Sequence, residues 1–314
     1  MGSLSVWAVG RGYREVEISE CLRTDPSTPA SWLPFLRPSI HLLPPKWLLY
    51  LRAFFYAPGG IAATIFVFAT IITVSVLTGK NALYLYPYLG GSINFWLGLR
   101  IVQRGERCLS APVIASNHSG VFDMQLITMS YSNIVALAKK ETQYIPLIGH
   151  VAKIMGCIFV DRGDEADRKK ATETINAYVE DSKTGDPVLL VFPEGTTSNH
   201  QHILPFKTGV FETDRQLQPV RITYHNPHFS FSLSTNQLVP FATCFALGSG
   251  EAVVEWLLPV SRKSNETPEM FAERVRQMII GDDKFIAGEA GNFRAHKTVT
   301  QHVARLRRGT AKNE

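Results

Sequence analysis

The chain has 314 residues, 45% of them hydrophobic and only 19% charged, with a formal net charge of +5. That length holds one large domain plus an extra segment, or two small domains. The mild basic excess suits an anionic membrane surface or a phosphorylated substrate; without zinc-finger spacing or an RNA-binding signature, no nucleic acid partner is expected.

In chain order, residues 1–45 carry Pro26, Pro29, Pro34, Pro38, Pro44 and Pro45. They predict an irregular cytosolic lead-in without the apolar core of a signal peptide. Residues 46–99 predict a membrane-embedded segment. No charge lies between Arg52 and Lys80, and Ile61–Leu77 is the apolar centre. A bilayer core about 30 Å thick takes about 20 helical residues. A buried core helix is the alternative. The following run, Asn81–Leu99, is also uncharged. Its Tyr84, Tyr86, Tyr88 and Trp96 suit a headgroup interface, while Pro87 and Gly90-Gly91 oppose a straight span. Arg37, Lys46 and Arg52 precede the apolar run, and Lys80 and Arg100 follow it. Positive charge on both flanks suits a hairpin that enters and leaves by one face; a single transmembrane helix competes with it.

From about residue 100, short apolar runs alternate with helical stretches. Strands are predicted at 112–116, 134–138, 157–160, 187–192, 219–224 and 252–258. A helix is predicted near 164–181, where Ala171, Thr174, Ile175, Tyr178 and Val179 recur at helical spacing. This alternation predicts an α/β layered domain over 100–265, with a central mixed sheet flanked by helices. Thr267-Pro268-Glu269 opens a C-terminal helical region, 266–314, with Phe271, Val275, Met278 and Ile279 on its apolar face. Arg305, Arg307 and Arg308 near its end read as a solvated basic face.

Two constellations carry chemistry. Ser116-Asn117-His118-Ser119-Gly120-Val121-Phe122-Asp123 follows the first predicted strand of the layered domain. Histidine takes a proton near neutral pH, and a carboxylate five residues on can fix its tautomer. Taken alone, a surface histidine and an unrelated aspartate fit the pattern as well. Val191-Phe192-Pro193-Glu194-Gly195-Thr196-Thr197-Ser198-Asn199 follows the strand at 187–192. Such a turn offers one carboxylate for a polyol hydroxyl, and backbone amides for phosphate or an oxyanion; a plain tight turn is the alternative. His200 with His202, and His225 with His228, lack a complete zinc set, and 161–165 lacks the spacing of a calcium loop, so no metal is expected. Cys21, Cys108, Cys157 and Cys244 stand apart and read as free thiols.

Taken together, Asn117-His118-x-x-x-x-Asp123 followed by Phe192-Pro193-Glu194-Gly195-Thr196 resembles the PlsC-type glycerolipid acyltransferase family. Gly156-Cys157-Ile158-Phe159-Val160-Asp161-Arg162 resembles its second block, and Gln218-Pro219-Val220-Arg221-Ile222 its fourth, on the acyl-chain side of the site. The stretch from Leu204 to Phe211 between them also fits, so the likeness covers about residues 95–265. The Pro-Glu-Gly-Thr-Thr-Ser-Asn form resembles eukaryotic lysophospholipid acyltransferases, and the region from Gly281 to Phe285 more loosely resembles a fungal lysophosphatidate acyltransferase subgroup.

The resemblance implies an acyl-CoA-dependent O-acyltransferase with acyl-CoA as substrate and no separate cofactor. His118 is then the base, aligned by Asp123. Arg162, with Lys207, holds the acceptor phosphate, although an ion pair with Asp161 or Asp164 is the other reading of that arginine. Glu194 orients the glycerol, Gly195 and Thr196 belong to the binding turn, and Asn117, Pro193 and Pro219 support it. The expected acceptor is 1-acyl-glycerol-3-phosphate, giving phosphatidate. Lysophosphatidylcholine, lysophosphatidylethanolamine and glycerol-3-phosphate are the alternatives, with a thioesterase or a non-catalytic membrane scaffold as the other classes. The expected location is the endoplasmic reticulum membrane or a lipid droplet, with the catalytic domain facing the cytosol.

Overall fold

The computed structural model describes residues 2–36, 43–120, 122–160, 165–226, 229, 238–247, 250–281, 285–288, 298–299, 301–303 and 305–306. Helix α1 (Gly2–Thr24) and a 3-10 turn (Ala30–Phe35) lead to the 33-residue helix α2 (Lys46–Thr78). A 3-10 turn (Ala82–Leu85), α3 (Tyr86–Leu89) and α4 (Gly91–Leu97) follow. The layered part runs β1 (Leu99–Arg104), β2 (Val113–Ser116), α5 (Asp123–Ser130), β3 (Ile134–Lys139), α6 (Ile148–Ile154), β4 (Ile158–Val160), α7 (Glu165–Asp181) and β5 (Val188–Val191). It continues with β6 (His202–Ile203), β7 (Leu217–Tyr224), α8 (Leu238–Leu247), β8 (Gly250–Trp256), α9 (Pro268–Ile280) and β9 (Ile286–Ala287).

Seven strands form one sheet in the order β1-β8-β7-β2-β5-β3-β4. Neighbours are parallel except β7 and β8, which makes the sheet mixed, the fold class expected. Strand periodicity sorts its residues into two cores. Ile114, Leu190 and Ile222 face α2, α5 and α8. Val113, Ala115, Leu189 and Val191 face Ile175 and Val179 of α7 and Phe271, Val275 and Ile279 of α9. Thr267 caps α9 by accepting from the Met270 amide at 3.3 Å. At its other end, buried Arg221 donates to the carbonyls of Ile279 and Met278, both at 2.6 Å, and pairs with Glu255. Arg221 of the fourth block therefore joins β7 to a helix.

One expectation is corrected, and two elements appear that the sequence does not announce. Residues 1–45 are not irregular throughout: every proline of that segment lies at 26 or beyond, and the proline-free stretch before it folds as α1. Ala8 and Val9 of α1 join the core that holds α2, and Ile18 and Leu22 pack with Phe35, Leu36, Leu204, Val299 and Val303. Residues 99–104 form β1; this edge strand pairs with β8, and its Leu-Arg-Ile-Val-Gln-Arg sequence shows too little apolar character to announce a strand. Helix α8 was also unforeseen; its Pro240 sits in the first turn, where no intrahelical N–H partner is needed.

Helix α2 has two unlike sides. Leu49, Ala53, Ala57, Gly60, Val67, Ile71 and Ser75 are buried along its length, and α2 packs on α1, α4 and α8. Small residues allow close approach: a Cβ at Gly60 would land in the Phe245 ring, and one at Gly59 in Trp96. On the other side Trp47, Leu51, Phe54, Phe55, Phe66, Val76 and Leu77 are exposed, far more apolar surface than a water-facing helix shows. The helix is long and apolar enough to cross a membrane, and only 28% of its most apolar window is buried, against the core-helix alternative.

Candidate active site

Strand β2 ends at Ser116, and the next side chain extends its pairing. Asn117 Oδ1 accepts from the Ile222 amide at 2.8 Å while its Nδ2 donates to the Ile222 carbonyl at 2.9 Å. This clip on β7 fixes where the chain turns. Gly120 then passes so close to the Phe229 carbonyl that a Cβ would lie 2.8 Å from it. The turn delivers His118 and Asp123 to one another: Nδ1 to Oδ2 is 2.8 Å.

Asp123 is the first residue of α5, and its side chain is 0% exposed. Oδ2 also accepts the amides of Ser119 at 2.6 Å and Gly120 at 2.9 Å, and Oδ1 accepts the Tyr224 hydroxyl at 2.7 Å. The buried carboxylate is thus surrounded by donors at a helix N-terminus, as a buried polar group requires. Burial, and then the adjacent Asp123 charge, push the Tyr224 hydroxyl well above its ordinary range, so it stays a donor. With Nδ1–H given to Asp123, the second ring nitrogen of His118, Nε2, is left with a lone pair that can accept a proton. The His118 side chain is 25% exposed and stacks on Phe192, ring centroids 4.3 Å apart.

The loop after β5 holds this turn from outside. Glu194 is 0% exposed; Oε1 accepts the His118 amide at 2.7 Å and Oε2 the Leu204 amide at 2.9 Å. The Ser198 amide donates to the His118 carbonyl at 3.0 Å. The sequence reading gives Glu194 to an acceptor glycerol; in the structure its two oxygens bind the protein's own backbone, out of solvent reach. Burial, opposed by those amides and Ser198, pushes its carboxyl up to about 8.

Gly195 takes a left-handed φ of 68°, and the exposed Lys207 side chain lies where a Cβ would stand, so the two are neighbours. The Lys207 amide donates to the carbonyl of buried Pro193 at 2.9 Å. Thr196 is half-buried in the same turn. Pro219 lies inside β7 opposite Ala115, its carbonyl accepting from Leu257 at 3.0 Å. Arg162 lies outside the described residues, two positions beyond the end of β4. Among the described residues no cluster of three metal-ligating side chains occurs. Tyr224 is a member of the site that motif spacing did not single out, and Phe192, quoted in the second motif without a role, stacks on the His118 ring. The signal for Tyr224 was its parity with Ile222 on β7, which sends both to the face carrying α5.

Residues 100–223 match the family model described as Acyltransferase. Lysophospholipid acyltransferase LPEAT1 of Arabidopsis thaliana is 31% identical over 204 residues, 61% of this chain and 50% of that protein. Lysophosphatidylcholine acyltransferase 1 of Homo sapiens is 30% identical over 199 residues, 57% of this chain and 35% of that protein. The chain therefore spans half or less of the length of these curated relatives. The crystal structure of the 1-acyl-sn-glycerophosphate acyltransferase PlsC from Thermotoga maritima superposes with a TM-score of 0.57 at 19% identity, covering 74% of this chain and 94% of that one; the likeness is one of fold. Residues 100–223, the part that matches the Acyltransferase model, carry His118, Asp123, Glu194 and Lys207.

Proposed function

We propose that the protein transfers a fatty acyl group from acyl-CoA to a hydroxyl of a lysophospholipid. The observation that carries this reading is the 2.8 Å contact of His118 Nδ1 with the buried Asp123 carboxylate, inside the residues that match the Acyltransferase model. His118 Nε2 removes the acceptor's hydroxyl proton as its oxygen attacks the thioester carbon. Backbone amides after Gly195 stabilise the tetrahedral oxyanion. The C–S bond breaks, and the CoA thiolate takes the proton from His118. Asp123 stabilises the imidazolium between the two transfers, and no acyl-enzyme forms.

Lysophosphatidate, 1-acyl-glycerol-3-phosphate, is the first acceptor. Arg162 and Lys207 bear the positive charge that matches its phosphate. Lysophosphatidylcholine is the second reading, favoured by the name of the human relative.

The membrane helix enters from one leaflet. One side of α2, from Leu49 to Ser75, is buried against the rest of the protein, and its neighbour α1 carries Arg11, Arg14, Glu15, Glu17, Glu20 and Arg23. Such a helix does not follow α2 through hydrocarbon, because charged side chains are costly to carry into the bilayer core. Both flanks then lie on the cytosolic side, where acyl-CoA is available, at the endoplasmic reticulum or a lipid droplet.

The test uses the full chain in vesicles, one labelled acyl-CoA, and lysophosphatidate, lysophosphatidylcholine, lysophosphatidylethanolamine and glycerol-3-phosphate in turn. Labelled phospholipid is expected, and His118→Ala should lower its formation about 10²- to 10⁴-fold while membrane association persists. Undiminished turnover in that variant removes the base; labelled free fatty acid as the only product makes the protein a thioesterase.

A further inference from the structure

We propose that Asn199 is a positioning residue through which the segment ahead of the membrane helix holds the catalytic loop in place. Its kinetic consequence rests on the acyl-transfer reading; its structural consequence does not. Asn199 is 1% exposed. Its amide N–H donates to the Pro34 carbonyl at 2.6 Å, and its Nδ2 to the carbonyls of Leu33 at 2.9 Å and Leu36 at 3.1 Å. Its Oδ1 accepts the backbone amides of Gln201 at 3.3 Å and His202 at 3.1 Å, with His202 Nδ1 at 2.8 Å. Burial, and then Arg23, push His202 down to about 4, so that ring is neutral and Nδ1–H is the donor. A carboxamide suits this place because it has two donors on one side and an acceptor on the other. Aspartate keeps the shape and loses the donors.

Both ends of this contact matter. The carbonyls it binds lie at the end of the 3-10 turn at 30–35, that of Leu33 also accepting the Leu36 amide at 3.2 Å. Phe35 and Leu36, both 0% exposed, pack beside Leu204. The Leu204 amide binds Glu194, Glu194 binds the His118 amide, and the Ser198 amide binds the His118 carbonyl. His118 is therefore gripped at N–H and C=O by the stretch that Asn199 ties to residues 33–36. Those residues lie outside the matched domain at 100–223, so part of the catalytic framework comes from elsewhere in the chain.

The test compares Asn199→Ala, Asn199→Asp, Phe35→Ala and the Asn199→Ala/Phe35→Ala double variant in the full chain in vesicles. Each single change should lower kcat about 10- to 100-fold, as a misplacement of about 1 Å does, while KM for both substrates stays within about twofold. The double variant should fall no further than the worse single one, since both open the same contact. Without substrates, amide hydrogen exchange should quicken in 30–36, 116–120 and 193–205 and stay unchanged in α9. If Asn199→Ala does not fold, Asn199→Asp carries the comparison. The proposal is overturned by kcat within about twofold of wild type in the folded Asn199 variants, by losses that multiply in the double variant, or by exchange that is unchanged at 116–120 or rises equally in α9. If instead His118→Ala stays active while the exchange pattern holds, the acyl-transfer reading fails and the positioning role stands.

Discussion

The loop after β2 and the loop after β5 serve one site by different means. The first is local: His118 and Asp123 are five residues apart, and the turn between them, with the start of α5, brings them to 2.8 Å. The second is long-range: Glu194 reaches the amide of His118 across 76 positions, and Asn199 reaches the carbonyl of Leu33 across 166. One loop supplies the proposed reacting groups and the other holds them in place. Chemistry placed on a short turn depends on remote contacts to stop that turn from wandering.

This division predicts a graded series of losses. The largest belongs to the first loop. Asp123→Asn presents one acceptor oxygen where the carboxylate serves the amides of Ser119 and Gly120, the His118 ring and the Tyr224 hydroxyl. It should lower kcat about 10²- to 10⁴-fold, measured with the acceptor that serves wild type best. Glu194→Gln comes next. Its NH₂ would face the backbone N–H of either His118 or Leu204, at a cost of about 1–3 kcal/mol in thermal unfolding, with kcat reduced and KM little changed.

The pH dependence of that pair separates charge from shape. The folded Glu194 carboxyl sits at about 8, above the ordinary 4.5. Folding therefore favours the protonated form, a contribution fully present below 4.5 and lost as pH rises through 8. The stability difference between wild type and Glu194→Gln should accordingly shift against wild type across that window, followed by melting in detergent. A flat difference would mean that the carboxyl is not desolvated. The smallest effect belongs to Tyr224→Phe. Removing one donor loosens the hold on the Asp123 carboxylate and so on the His118 ring, with an expected loss in kcat of about 2- to 10-fold and KM little changed.

The same contrast explains what could be read in advance. His118 and Asp123 were legible because a strand, a turn and a helix start put them together within eight residues. The six predicted strands were legible because buried β-strands are short apolar runs, and all six occur within a few residues of their expected places. The task of Glu194 was not legible: a carboxylate in a Pro-Glu-Gly-Thr turn looks the same whether it faces solvent or two distant amides. Asn199 and Tyr224 were hidden for the same reason, since their partners lie far away in sequence. α1 was missed because prolines at 26 and beyond coloured the reading of residues before them.

The glycine-lined side of α2 has a practical corollary. Helices that merely tether an enzyme to lipid can be cut away to leave a free catalytic unit. Here Leu49, Ala53, Val67 and Ile71 share one core with Ile114 of the sheet and Phe245 of α8. A truncation that starts after Thr78 would bare the inner face of the sheet beside the catalytic turn. The expected product is an aggregate, and solubility has to be sought by recolouring the outward ring at Trp47, Phe54, Phe55 and Phe66 instead.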